Sequence, residues 1–208
     1  MIAIVDYDIG NVGSVLNMLR KVGAQAQITR DPDTLRAADK LVLPGVGAFD
    51  EAVANLRRFG LWELLDELVL QARKPILGVC LGAQLMTRSS EEGSQPGFGW
   101  LDARIQRFRS TPETPLRVPH MGWNLVTPTR PDIGIFQDVP APMRFYFVHS
   151  YHMVTDDPAL ALATTPYGQP FVSVLGRDNI LAMQYHPEKS HKYGLQIYRN
   201  FAERFPSC

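Results

Sequence analysis

The hydrophobic pattern changes character along the chain. In the N-terminal half, short unbroken apolar runs alternate with stretches whose apolar residues recur every three or four positions. Residues 2–5, "IAIV", are such a run and predict a buried strand. Val12, Val15, Leu16 and Leu19 then predict a helix over 11–22, with Asn11 as its cap. "QAQIT" (25–29) and "KLVLP" (40–44) predict two further strands. Residues 50–70 form a long amphipathic segment with Val53, Leu56, Leu64 and Leu68 on one face. "PILGV" (75–79) reads as a strand covered on both faces, and "LGAQLMTRS" (81–89) as a helix that starts directly after it. The alternation predicts an α/β fold: a mostly parallel central sheet of βαβ units flanked by helices.

The C-terminal half is richer in strands. "MRFYFVHSYHMV" (143–154), "ALALATT" (159–165), "PFVSVL" (170–175) and "NILAMQYH" (179–186) are strand-like runs separated by "DDP", "PYG" and "GRDN". They predict additional antiparallel strands. Leu195, Ile197, Tyr198 and Phe201 predict a closing helix over 189–205. Residues 90–118 are rich in Gly, Pro, Ser and Arg and read as loop with one strand. No repeat, low-complexity tract or linker interrupts the pattern, so a single domain over 1–208 is expected.

Composition narrows the picture. The chain has 208 residues, 45% of them hydrophobic, with 21 basic and 21 acidic side chains. A zero net charge gives no footprint for nucleic acid or an anionic membrane surface. Two cysteines, Cys80 and Cys208, cannot make a disulfide framework, which points to a reducing, cytoplasmic setting. The start, "MIAIVDYDIG", carries Asp6 and Asp8 and lacks the basic opening and cleavage site of a signal peptide. No run approaches the roughly 18 apolar residues of a membrane helix.

Cys80 is where chemistry enters. A lone cysteine in a buried strand is commonly a small hydrophobe. Here Gly78 and Gly82 flank it at two residues on each side, the spacing of a strand-to-helix elbow that lifts a nucleophile out of the sheet. The following N–H, that of Leu81, then points where an oxyanion forms, and the helix N-terminus favours a thiolate. A thiol nucleophile needs a base with an orienting partner. His186 ends a strand-like run, Pro187 stops it, and Glu188 stands two residues on, in reach of an imidazole nitrogen. In a parallel sheet both strand ends belong to the carboxyl edge, where such sites form.

These residues carry a family resemblance. "GVCLGAQ" (78–84) with "HPEKS" (186–190) resembles the triad, class I glutamine amidotransferases. "LPGVGAFDEAVANL" (43–56), "PHMGWN" (119–124), "YFVHSYH" (146–152) and "QYHPEKS" (184–190) resemble, more narrowly, the glutaminase subunits of imidazole glycerol phosphate synthases. The likeness runs from "DYDIGNVGSV" to "NF" at 200–201, nearly the whole chain.

The resemblance implies roles. Cys80 attacks the carboxamide of L-glutamine, His186 moves the proton, and Glu188 orients His186. "PGVG" (44–47) supplies a second oxyanion donor near Val46 or Gly47, beside Leu81, through a peptide that two glycines allow to flip. Gln84, Glu92, His149, Ser150 and Tyr151 resemble the glutamine-binding positions, with Glu92 for the ammonium and Ser150 for the carboxylate. His120, Met121, Trp123, Asn124, Tyr146 and Lys189 resemble positions that face a (β/α)8 cyclase partner. That partner receives ammonia through its barrel and makes imidazole glycerol phosphate and an aminoimidazole carboxamide ribotide. No metal and no cofactor are implied. His149 and His152, three apart, are expected on opposite faces of one strand and therefore unable to share a metal.

Two departures bear on the ammonia acceptor. Asp8 stands where the family usually has glycine, and "EKSHKYG" (188–194) resembles a paralogous branch that serves a sugar amidotransferase of surface-polysaccharide synthesis. A catalytically silent, partner-binding subunit is the alternative of another class.

Overall fold

The computed structural model describes residues 1–206; Cys208 lies outside them. The N-terminal half alternates strand and helix: β1 (Ile2–Val5), α1 (Val12–Lys21), β2 (Ala26–Thr29), α2 (Pro32–Ala37), β3 (Lys40–Gly45), α3 (Phe49–Arg58), α4 (Leu61–Asp66), β4 (Ile76–Cys80) and α5 (Leu81–Leu85). The expected 50–70 helix is divided. Gly60 takes a left-handed φ of +66° between α3 and α4, and a π-helical turn, Glu67–Gln71, ends the segment. The short α2 has too few apolar residues to show periodicity, yet Asp31 accepts from Thr34 N at 2.8 Å and Pro32 opens the first turn. Asn11 stands before α1 without a side-chain capping bond, contrary to expectation.

The second half contains β5 (Ser89–Ser90), β6 (Arg104–Arg107), β7 (His120–Leu125), β8 (Thr127–Pro128), β9 (Arg144–His149), β10 (Tyr151–Val154), β11 (Ala161–Tyr167), β12 (Gln169–Arg177), β13 (Ile180–Met183) and α6 (His191–Arg204). Among the described residues the strands form two sheets. The larger runs β2-β1-β3-β4-β13-β12-β10-β6-β5, with β11 and β8 beside β12. Its β2-β1-β3-β4-β13 portion is parallel, and β12 and β10 add antiparallel pairing. The expected mixed α/β sheet is thus present, and apolar clusters cover both of its faces. No helix of the described residues is long and apolar enough to cross a membrane.

The segment 143–154 is not one strand. It breaks at Ser150, so β9 pairs with β7 in a two-stranded ribbon while β10 joins the main sheet. The sequence there reads as one strand-like run, but the pairing partner changes. His149 and His152 consequently do not sit on opposite faces of one strand. Both rings pack on Phe108, with centroids 5.3 and 4.5 Å away.

Three adjacent parallel strands, β3, β4 and β13, end side by side. Gly45 is in register with Cys80, and Met183 with Val79. The residues just past these ends therefore meet at one edge: the 44–47 loop, Cys80, and the segment leading to His186.

Candidate active site

Cys80 ends β4 with φ +53° and ψ −110°, a conformation that costs a non-glycine residue about 1–3 kcal/mol. The glycines around it are required by close approach. A Cβ on Gly82 would run into the carbonyl oxygen of Leu43, and one on Gly78 would stand 2.8 Å from Ala83 Cα. The elbow thus packs backbone to backbone against β3 and its own helix. That helix is shorter than expected: α5 stops at Leu85, and Thr87 Oγ1 donates to the Gln84 carbonyl at 2.8 Å. Five residues make a weak macrodipole, so the helix adds little positive field at the sulfur.

A cavity of about 330 Å³ opens at this edge. Cys80, Leu81 and His186 line it, with Val46 and Gly47 from the loop after β3. Gln84, Glu92, His149, Ser150 and Tyr151 complete the wall. The expected glutamine-binding and oxyanion positions therefore meet in one space.

His186 is buried, and its Nδ1 lies 2.8 Å from Glu188 Oε1, whose side chain is buried too. The ring is held from behind: its backbone N donates to the Tyr146 carbonyl at 2.9 Å, and Ser190 Oγ donates to its carbonyl at 2.6 Å. Among the described residues Nε2 has no hydrogen-bond partner. Burial alone pulls the ring pKa down. The charge of the Cys80 sulfur and the Glu188 carboxylate outweigh that and push it up to about 10. The arrangement favours the imidazolium form of His186.

Gly47 has φ +106°, a backbone conformation that suits glycine, and no atom lies within 4 Å of where a Cβ would stand. Three residues back, the Pro44 carbonyl is held: the buried Tyr7 hydroxyl donates to it at 2.6 Å. Glu92 Oε2 accepts from Phe49 N at 3.2 Å, at the start of α3, and burial raises its pKa. Glu92 is thereby tied to the helix that follows the 44–47 loop.

The expected partner-facing residues divide. Met121 and Trp123 alternate outward on β7 and are exposed, as is Leu125, which was not among the expected positions. Trp123 stacks on His191, with centroids 5.6 Å apart and planes 9° from parallel, and Lys189 Nζ lies 5.8 Å from the centre of the Tyr146 ring. His120 corrects the expectation. It points inward and is only 3% exposed, because strand alternation turns it away from Met121. Its Nδ1 lies 2.9 Å from His149 Nε2, and Asn124 Nδ2 lies 3.1 Å from its Nε2. Asn124 also turns its amide inward, donating to the Pro166 carbonyl at 2.8 Å.

One residue at the sulfur stands at the head of the "QYHPEKS" motif, yet the resemblance gave it no role. Gln184 is fully buried, and its Nε2 lies 3.8 Å from Cys80 Sγ. The available signal was a lone amide inside the apolar run "LAMQYH", one residue past the register partner of Val79.

The model of the family described as glutamine amidotransferase class-I matches residues 3–205. The chain belongs to the class-I glutamine amidotransferases. Among curated relatives of this amidotransferase, "Imidazole glycerol phosphate synthase subunit HisH 2" of Pseudomonas aeruginosa is 48% identical over 98% of this chain and 99% of its own. The protein of the same name from Methanococcus maripaludis is 44% identical over 98% of this chain and 100% of its own. The HisH subunit of Synechococcus elongatus is 48% identical, covering 96% and 91%. Two solved structures share the amidotransferase fold: PurLQS from Thermotoga maritima, at TM-score 0.72 and 15% identity over 96% of both chains, and a glutamine amidotransferase from the same organism, at TM-score 0.60 and 18% identity over 90% of this chain and 75% of that one.

Proposed function

We propose that this chain is the glutaminase subunit of an imidazole glycerol phosphate synthase. The observation that carries the reading is Cys80 at positive φ, sharing one cavity with a buried His186 that Glu188 holds. The Cys80 thiolate attacks the carboxamide carbon of L-glutamine. The oxyanion meets the Leu81 N–H and, once the loop peptide turns, an N–H at Val46 or Gly47. Protonated His186 gives its proton to the departing nitrogen, so ammonia leaves and a glutamyl thioester remains. Water, deprotonated by the now neutral ring, cleaves the thioester to glutamate and restores the thiolate. Gln84 and the His149–Tyr151 turn hold the substrate, and Glu92 receives its ammonium.

Ammonia released into water takes up a proton and loses its nucleophilicity, so the reading includes an acceptor enzyme docked over the cavity mouth. A (β/α)8 cyclase of histidine biosynthesis fits the full-length similarity to HisH subunits. A sugar amidotransferase is the second reading. Two of the similar relatives carry the number 2 in their names, and the departing segment 188–194 places His191 against exposed Trp123, on the surface a partner would meet.

Cys80→Ala is expected to abolish glutamine hydrolysis, and surviving hydrolysis would remove the triad assignment. Tagged protein recovered from its own host is expected to bring down a (β/α)8 cyclase that forms imidazole glycerol phosphate with glutamine. Recovery of an ATP-using sugar amidotransferase instead would leave the Cys80 chemistry and replace the pathway.

A further inference from the structure

We propose that Gln184 is a further residue of the nucleophile site: its side-chain N–H donates to the Cys80 sulfur and favours the reactive thiolate. Gln184 Nε2 lies 3.8 Å from Cys80 Sγ, within hydrogen-bond range for sulfur. Its Oε1 accepts from Gln84 Nε2 at 3.2 Å. That bond fixes which end of the amide faces the sulfur, because an oxygen there would leave two N–H donors facing each other.

Gln84 is itself oriented. Its Nε2 carries two hydrogens; one goes to Gln184 and the other to the Tyr151 carbonyl at 3.4 Å. The same carbonyl accepts from His149 Nδ1 at 2.6 Å. His149 Nε2 is then an acceptor, so His120 Nδ1 donates to it at 2.9 Å, and Asn124 donates to His120 Nε2 at 3.1 Å. One connected set of amides and rings thus runs from the exposed ribbon to the nucleophile. It is no proton wire, since donors converge on the Tyr151 carbonyl from both sides. It is a frame that holds the Gln184 amide in one orientation.

An N–H aimed at sulfur interacts more strongly with the anion than with the neutral thiol. Gln184 is fully buried and Gln84 is 4% exposed, so little water competes for these bonds. The inference rests on Cys80 being the nucleophile, but on no particular substrate or partner.

The test is alkylation of Cys80 by iodoacetamide in the full chain, in a Cys208→Ser background so that one thiol reports. Gln184→Glu keeps the shape and sets oxygen in place of the donor; Gln184→Met removes it. Both are expected to slow alkylation at pH 7 at least about threefold, with a deficit that shrinks as pH rises. A merely structural role would not give that pH dependence. His186 and Tyr7 also act electrostatically with Cys80, and both remain in place. Folded Gln184 variants that react like the parent at every pH overturn the proposal. Should neither fold, Gln84→Met decides: slower alkylation supports it, and the parental rate overturns it. Alkylation needs no glutamine and no partner, so this test and glutamine turnover by Cys80→Ala fail separately.

Discussion

His120 Nδ1 lies 2.9 Å from His149 Nε2, and burial holds both rings neutral, with pKa values pulled down to about 4 and about 3. The folded state therefore refuses protons that the unfolded chain accepts below the ordinary histidine value of 6.5. The stability this pair contributes is complete above pH 6.5 and is lost as pH falls toward 4 and 3. Each refused proton steepens that loss by at most about 1.4 kcal/mol per pH unit. His120→Leu removes one of them. It also strands His149 Nε2 and the Asn124 amide, at a cost of about 1–3 kcal/mol at neutral pH. Urea unfolding from pH 7.5 down to 4.5 is expected to give a less stable variant with a shallower acid slope. Parallel slopes for parent and variant would contradict the neutral-pair account.

His186 behaves in the opposite sense. Its pKa stands near 10, against 6.5 ordinarily, so the stability it contributes is complete below 6.5 and disappears as pH climbs through about 10. The sulfur of Cys80 is the largest influence raising it, ahead of Glu188. Imidazole NMR is expected to find the ring protonated at pH 8 in the parent. Cys80→Ala should lower its titration further than Glu188→Gln does. Glutamine turnover is expected to fall at least about a hundredfold in Glu188→Gln, since the ring loses its orienting partner. A ring already neutral at pH 7 in the parent would sink the ion-pair description.

Much of this site was legible in the chain. Gly78, Cys80 and Gly82 form an elbow because their spacing leaves room for backbone contacts, and spacing is written in sequence. His186 and Glu188 are two residues apart, so local chain geometry brings them together. What sequence periodicity does not encode is a change of pairing partner. The stretch 143–154 reads as one strand-like run, yet Ser150 divides it between two sheets. That division places His149 opposite His120 across the ribbon and turns a supposed contact residue inward. The contact of Gln184 with the sulfur was hidden for a related reason: it comes from the register of β13 against β4, a long-range pairing. The six-residue α2 escaped because its signal lies in the Asp31 cap and Pro32, not in apolar spacing.

The elbow has a sharp packing requirement at Gly82. A methyl group there meets the Leu43 carbonyl, a backbone atom of a central strand with nowhere to move. Gly82→Ala is expected to destabilise the fold by about 2–4 kcal/mol and to displace Cys80 from the cavity. Denaturant unfolding and iodoacetamide reactivity read the two effects. A variant within about 0.5 kcal/mol of the parent would mean that β3 and α5 are less tightly apposed than the structure has them.

Partner binding should divide the ribbon by face. Met121 and Trp123 point outward, while His120 and Asn124 point inward to the hydrogen-bonded frame. Trp123 is a large amphipathic side chain that is 41% exposed and supported from behind by the stacked ring of His191. An aromatic braced in this way binds at low entropic cost, as anchor residues do. Trp123→Ala is therefore expected to weaken acceptor-enzyme binding by about 2 kcal/mol, roughly thirtyfold, with smaller loss in Met121→Ala. Fold stability should change little, since neither side chain is in the core. Calorimetric titration with the (β/α)8 cyclase measures this. Parental affinity in both variants would place the partner on another surface. If instead a sugar amidotransferase loses affinity while the cyclase never binds, the outward face is confirmed and the pathway assignment changes. His191→Ala then discriminates further, because it removes the brace behind Trp123 without touching the inward frame.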